Sequence, residues 1–259
     1  MPSTTTSDGV DISYRTVGTG ADLVLIHGLT DSSATWGPIT DLFATSYRVT
    51  TLDLRGMGAS GRAPDYTAFG MTRDVTAVVA AAGLGNPLVV GHSLGGIVAT
   101  AYAATAPVRG VVNVDQPLRL SAFQEGLQQV EPMLRDPDAF PAVIEMIFSG
   151  LNGDQLSQEL KEDIAAHCRR SQEVVLGVWD QVFSTPVAEL DTLMGDVTAT
   201  ITAPYLSLQF VDNGPDYSAW LQSLIPQAVV EEWPGLGHYG HRIHPQRFVD
   251  RVTAFDRGD

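Results

Sequence analysis

Polar and apolar residues alternate over 10–17 (Val-Asp-Ile-Ser-Tyr-Arg-Thr-Val), the pattern of a half-buried edge strand. Residues 23–26 form a continuous apolar run, and 89–90 and 108–115 are similarly rich in Val, as expected of strands covered on both faces. Further strands are predicted over 48–54, 203–210 and 228–233. Helical stretches separate them: 36–44 after Ser32 or Ser33 as a cap, 74–82 stopped by Gly83 and Gly85, the alanine-rich 97–106, then 217–224, and 245–255 with Pro245 in its first turn. From 117 to about 200 strand signals are sparse, and Leu156, Leu160 and Ile164 stand at helical spacing within 156–170. This order predicts one α/β domain with a mostly parallel sheet, helices on both faces, and function at the carboxyl ends of the strands. Residues 1–116 and 201–259 form the core in this reading, and 117–200 a helical cap inserted between two strands.

Charge narrows the partners. With 15 Lys and Arg against 30 Asp and Glu, the 259-residue chain carries a formal charge of −15, which repels a phosphate backbone and supplies no basic patch for one. Nucleic acid and anionic membrane surfaces are excluded as partners, and a small-molecule substrate is expected. Cys168 is the lone cysteine, so no intrachain disulfide forms, and it is read as packing quietly in a helix. Residues 1–9 lack the basic start and apolar core of a signal peptide, and no apolar run approaches the roughly 20 residues of a membrane helix. A cytoplasmic monomer or homodimer is the expectation.

The polar residues that end predicted strands carry the chemistry. Gly91-His92-Ser93-Leu94-Gly95 follows a buried-type strand and runs directly into a helix, with Gly96 where that helix packs tightly. A serine in such a Gly-x-Ser-x-Gly turn sits on strained backbone and is exposed as a nucleophile. It needs a general base, normally a histidine held in one tautomer by a carboxylate. Of six histidines, His238 stands in a glycine-flanked loop (Gly235-Leu236-Gly237-His238-Tyr239-Gly240) before the last helix, where it can reach the turn. His241 and His244 are read as surface or capping residues, His92 as support for the turn, His27 as structural, and His167 as part of the cap. For the carboxylate, two positions stand open: Asp115, ending the strand after the serine-bearing helix, and Asp212, in a turn-forming Asp-Asn-Gly. Asp115 takes precedence, because a charge that ends a buried strand needs a partner. Asp53 and Arg55 are expected to tie their loop to the scaffold. No histidine arrangement calls for a metal, and no cofactor is implied.

Taken together, His27-Gly28, Asp53-x-Arg55-Gly56-x-Gly58-x-Ser60, Gly91-His92-Ser93-Leu94-Gly95-Gly96, and Gly237-His238 followed seven residues on by Pro245 resemble the α/β-hydrolase family. The resemblance is to its capped branch of small esterases, lactonases, C–C bond hydrolases and cofactor-free peroxidases, and it covers nearly all of the chain outside the cap. It implies Ser93 as nucleophile, His238 as base, and an oxyanion hole built from the backbone N–H groups of Leu29 and Leu94. In most of the family the acid follows the strand after the cap in a Gly-x-x-Asp pattern; here the Gly is missing before Asp212. Some branches, fungal mycotoxin lactonases among them, use the position of Asp115. Serine rather than aspartate at the turn disfavours dehalogenase and epoxide-hydrolase chemistry. Trp36, Phe123 and Trp179, with Met133, Phe140, Met146, Phe148 and Phe183, are candidates to line an apolar substrate pocket. The expectation is a serine hydrolase of carboxylic esters or lactones. C–C bond cleavage or perhydrolysis by the same triad, and a ligand receptor on the same fold, are the alternatives.

Overall fold

The computed structural model describes all 259 residues. Its sheet contains β1 (Ser3–Thr5), β2 (Asp11–Val17), β3 (Ala21–Ile26), β4 (Tyr47–Leu52), β5 (Leu88–His92), β6 (Gly110–Val114), β7 (Tyr205–Gln209) and β8 (Ala228–Glu232), in the spatial order β1-β2-β4-β3-β5-β6-β7-β8. β1 and β2 run antiparallel to their neighbours, and all other pairs are parallel. β2 is not the edge, since β1 covers it with the register Ser3↔Ser13, Thr4↔Ile12 and Thr5↔Asp11. β1 consists only of Ser and Thr, so it has no apolar periodicity to reveal it.

Strand alternation distributes the core. Val24 and Ile26 of β3 join one apolar cluster, and Leu23 and Leu25 join the other across the sheet. Each of these side chains is fully buried and contributes about 1.5–3 kcal/mol relative to exposure. The first cluster packs α2 (Ala68–Ala81), α3 (Leu94–Ala103) and α9 (Tyr217–Leu224); the second packs α1 (Pro38–Ala44) and α11 (Pro245–Arg257). α2 begins six residues before the predicted start at Asp74, because the Thr67 hydroxyl accepts the Gly70 N–H at 3.0 Å and caps the helix there. Before α1 the chain makes a short 3-10 turn over Ser33–Trp36, and Ser32 gives it no side-chain cap.

Five helices lie between β6 and β7: α4 (Ser121–Arg135), α5 (Phe140–Leu151), α6 (Gln158–His167), α7 (Gln172–Ser184) and α8 (Val187–Thr198). No helix is long and apolar enough to cross a membrane. Two main-chain hydrogen bonds tie this helical insertion to loops at the carboxyl edge of the sheet. Arg169 N–H donates to Thr30 O at 2.7 Å, and His238 N–H donates to Leu151 O at 2.9 Å.

Candidate active site

β5 delivers Ser93 to the carboxyl edge of the sheet at the start of α3. Its backbone is forced to φ 54° and ψ −128°, a conformation that a non-glycine residue adopts at a cost of about 1–3 kcal/mol. Ser93 N–H donates to Val114 O at 2.9 Å, and Ser93 O accepts Gly96 N–H at 2.6 Å. The flanking glycines serve by lacking a side chain, with no need for positive φ. A Cβ on Gly91 would lie 1.9 Å from Gly95 O, and one on Gly95 2.3 Å from Ile26 O. The turn is possible only where strand and helix backbones touch.

Asp115 follows the last residue of β6, and its N–H continues the ladder onto Leu208 O at 2.8 Å. It too has positive φ, 51°. This twist turns the carboxylate so that Oδ1 accepts Phe210 N–H at 2.6 Å and Oδ2 lies 2.7 Å from His238 Nδ1. Asp212 is elsewhere engaged: it is exposed, and its Oδ1 accepts Gly214 N–H at 2.7 Å in a local turn. The carboxylate within reach of His238 is Asp115.

His238 sits in the loop between β8 and α10 (Gly240–Ile243), and its peptide is held on both sides. Leu151 O accepts its N–H, and its own carbonyl accepts a hydrogen bond from His92 Nε2–H at 2.8 Å. His92 therefore supports the neighbouring loop. Burial, aided by the nearby histidines, holds its ring well below the usual histidine range. His27 is structural, with Nε2 accepting Leu54 N–H at 3.0 Å and Nδ1 donating to Gly28 O at 2.7 Å. Asp53 ties its loop down by accepting the N–H groups of Ser33 and Ala59, and Arg55 by pairing with Asp74 and Asp8.

Leu94, the first residue of α3, has an N–H with no acceptor inside its helix. Leu29 N–H makes no main-chain hydrogen bond. Both residues line the cavity onto which Ser93, Asp115 and His238 open. The cavity is about 590 Å³, and 19 of its 29 lining residues are hydrophobic, which suits a small, mainly apolar ligand. Phe123 and Trp179 line it with their rings edge to face, centroids 5.9 Å apart, and Phe148 joins them.

Several expected residues lie elsewhere. Trp36 is buried beneath the opposite face of the sheet, stacked on Phe248 at 6.4 Å and tilted against His241, because the 3-10 turn aims it toward α11. It does not reach the cavity. His241 is a buried core residue, not a surface or capping one. It lies among Trp36, Phe210 and Phe248, its Nδ1 has no partner, and burial with the adjacent Arg242 charge pushes its ring well below the usual range. His244 does occupy the N-cap position of α11. Met133 and Met146 are exposed, Phe140 is core, and Phe183 lies under the Arg135 guanidinium.

Behind the serine turn stands a residue that the motifs do not single out. Asp31 is fully buried with no ion pair to Lys or Arg. Its Oδ1 accepts the Cys168 thiol at 2.9 Å and the Tyr239 hydroxyl at 3.2 Å, and its Oδ2 lies 3.8 Å from His92 Nδ1. Burial raises the Asp31 carboxyl above its ordinary value, against these hydrogen bonds, and burial also raises the Cys168 thiol. The signal was present in the sequence: Asp31 shortly follows a buried strand, the same argument that singled out Asp115.

The Alpha/beta hydrolase family model matches residues 23–251. The chain is 28% identical over 266 residues to the sn-1-specific diacylglycerol lipase ABHD11 of Mus musculus, covering 94% of this chain and 84% of that protein. It is 25% identical over 276 residues to the pimeloyl-[acyl-carrier protein] methyl ester esterase of Pectobacterium carotovorum, covering 93% and 97%. Among solved structures, the esterase EaEST from Exiguobacterium antarcticum is similar with a TM-score of 0.83 at 16% identity, over 98% of each chain. Eight strands in this order, the serine turn between β5 and α3, and a family match spanning all but the chain's two ends make this chain a member of the α/β-hydrolase family.

Proposed function

We propose that the protein is a serine hydrolase that cleaves a small, largely apolar carboxylic ester or lactone through an acyl-enzyme on Ser93. The observation that carries this reading is the 2.7 Å contact of Asp115 Oδ2 with His238 Nδ1 in the cavity that also holds Ser93. Asp115 keeps the ring proton on Nδ1 and leaves the Nε2 lone pair free. Ser93 Oγ attacks the carbonyl carbon as its proton passes to Nε2, and the carbonyl oxygen takes up the negative charge. The N–H groups of Leu29 and Leu94 are the donors for that oxyanion, fixed before the charge develops; losing one such donor typically costs about 2.7–4 kcal/mol. As the C–O bond breaks, His238 gives its proton to the leaving alkoxide. Water, deprotonated by Nε2, then attacks the acyl-enzyme, and Ser93 recovers its proton as the acid departs. In a lactone the alcohol and acid leave as one molecule.

The helical insertion serves as a cap, contributing Phe123, Phe148 and Trp179 to the acyl-binding wall. The similarity to an ester-cleaving lipase and a methyl ester esterase supports the ester bond as target. A fluorophosphonate probe tests the reading directly. It is expected to label the parent protein and not Ser93→Ala, and p-nitrophenyl butyrate turnover is expected to disappear in that variant. Equal labelling of both proteins, or of neither, would refute it.

A further inference from the structure

The cavity wall carries a single cation. Of the chain's fourteen arginines, nine pair with carboxylates: Arg48, Arg55, Arg62, Arg73, Arg109, Arg135, Arg170, Arg242 and Arg251. Arg15, Arg169, Arg247 and Arg257 are unpaired but lie away from the cavity. Arg119 is both unpaired and on the wall, four residues past Asp115 on the segment that joins β6 to α4.

It is half-buried, and its guanidinium stacks on the Trp220 ring with Cζ 4.8 Å from the centroid. Stacking uses the face of the guanidinium and leaves its planar fork of N–H donors free. Its charge is felt inside the cavity: burial raises the Tyr217 phenol on the same wall, and Arg119 opposes that rise. Neither of the wall's two carboxylates pairs with it. Asp115 is taken by His238 and Phe210 N–H, and Asp212 holds Gly214 N–H. A half-buried cation without a counter-ion, in a chain of net charge −15 that pairs most of its arginines, marks a place for an anion from outside.

We propose that Arg119 is an anion subsite, and that the ester or lactone cleaved at Ser93 carries a carboxylate elsewhere in the molecule. This rests on the hydrolase reading above. A hydrogen bond to a charged partner is strong enough that its loss lowers selectivity roughly tenfold or more.

Two matched pairs of substrates test it: p-nitrophenyl hydrogen adipate against p-nitrophenyl hexanoate, and 4-carboxyphenyl butyrate against phenyl butyrate. The parent is expected to favour the charged member of at least one pair in kcat/KM. Arg119→Gln is expected to lower that ratio at least tenfold, chiefly through KM, and Arg119→Lys to keep part of it. A purely structural cation–π role would move both members of a pair together and leave the ratio unchanged. Ratios unchanged in both variants overturn the anion subsite while leaving the hydrolase reading intact. If the parent turns over no ester and resists the fluorophosphonate probe, both readings fall together.

Discussion

Asp115→Asn perturbs the site at the atom pair that sets its tautomer. The native carboxylate divides its oxygens, Oδ1 on Phe210 N–H at 2.6 Å and Oδ2 on His238 Nδ1 at 2.7 Å. Phe210 N–H is buried and makes no other hydrogen bond, so the introduced amide keeps its oxygen there and turns its NH2 toward His238. Two donors cannot face each other, so His238 Nδ1 becomes the acceptor and the ring proton moves to Nε2. That is the atom required to take the Ser93 proton. The expected loss in kcat is about 10⁴-fold, the size of the same tautomer trap in serine proteases, which corresponds to about 5 kcal/mol of barrier.

The fold, by contrast, is expected to survive. The Phe210 hydrogen bond persists, Asn accepts positive φ as readily as Asp, and unfolding free energy changes by less than about 2 kcal/mol. The assay is p-nitrophenyl butyrate turnover together with urea unfolding of the parent, Asp115→Asn and Asp212→Asn. If Asp115→Asn keeps roughly a tenth or more of the parent kcat, or Asp212→Asn loses as much, the tautomer argument is wrong.

Two further expectations come from the packing. Gly91→Ala drives a Cβ to 1.9 Å from Gly95 O and is expected to destabilise the fold by at least about 2 kcal/mol. Gly126→Ala, mid-helix in α4 with nothing within 4 Å, is expected to stabilise it by about 0.5–1 kcal/mol. Urea midpoints that move the same way in both variants would contradict this. For pH, burial holds His241 neutral in the fold, whereas in the unfolded chain it titrates near 6.5. The unfolded state therefore binds more protons below that value, and this contribution to stability is present above about pH 6.5 and is lost as pH falls through it. His241→Phe is expected to flatten the acid-side loss by up to about 1.4 kcal/mol per pH unit. The raised Asp31 carboxyl acts in the opposite sense, so variant and parent are compared at each pH; parallel curves from pH 7 to 5 would refute the buried neutral ring.

The parts of the site that the sequence disclosed are those where local chemistry and local geometry coincide. An apolar run into Gly-x-Ser-x-Gly can hardly be anything but a strand turning into a helix. A histidine flanked by glycines, between a strand and a proline-started helix, is confined to a loop at the same edge of the sheet. Trp36 and His241 misled because their direction is decided by the packing of α1 and α11, which no local pattern encodes. β1 was silent because Ser and Thr form its ladder without apolar periodicity. Asp31 was legible in principle, as a carboxylate shortly after a buried strand, but its partners Cys168 and Tyr239 come from segments more than a hundred residues away.

Strain at the site shows why the remainder could not be read. The chain has three non-glycine residues with positive φ, Thr30 at 68°, Ser93 at 54° and Asp115 at 51°. They lie just past the carboxyl ends of β3, β5 and β6, three adjacent strands. At about 1–3 kcal/mol each, they consume a large part of an ordinary domain's 5–15 kcal/mol stability. What holds them is main-chain hydrogen bonding: Ser93 N–H to Val114 O, Asp115 N–H to Leu208 O, and Arg169 N–H to Thr30 O. The last comes from the insertion, as does the Leu151 carbonyl that holds His238 N–H. The insertion thus steadies the proposed oxyanion donor at Leu29 and the proposed base at His238 through backbone atoms, which any residue but proline can supply at the donor position. Side chains there are free to change with the substrate while the geometry of the reacting groups is kept, so the support of the site leaves no motif behind.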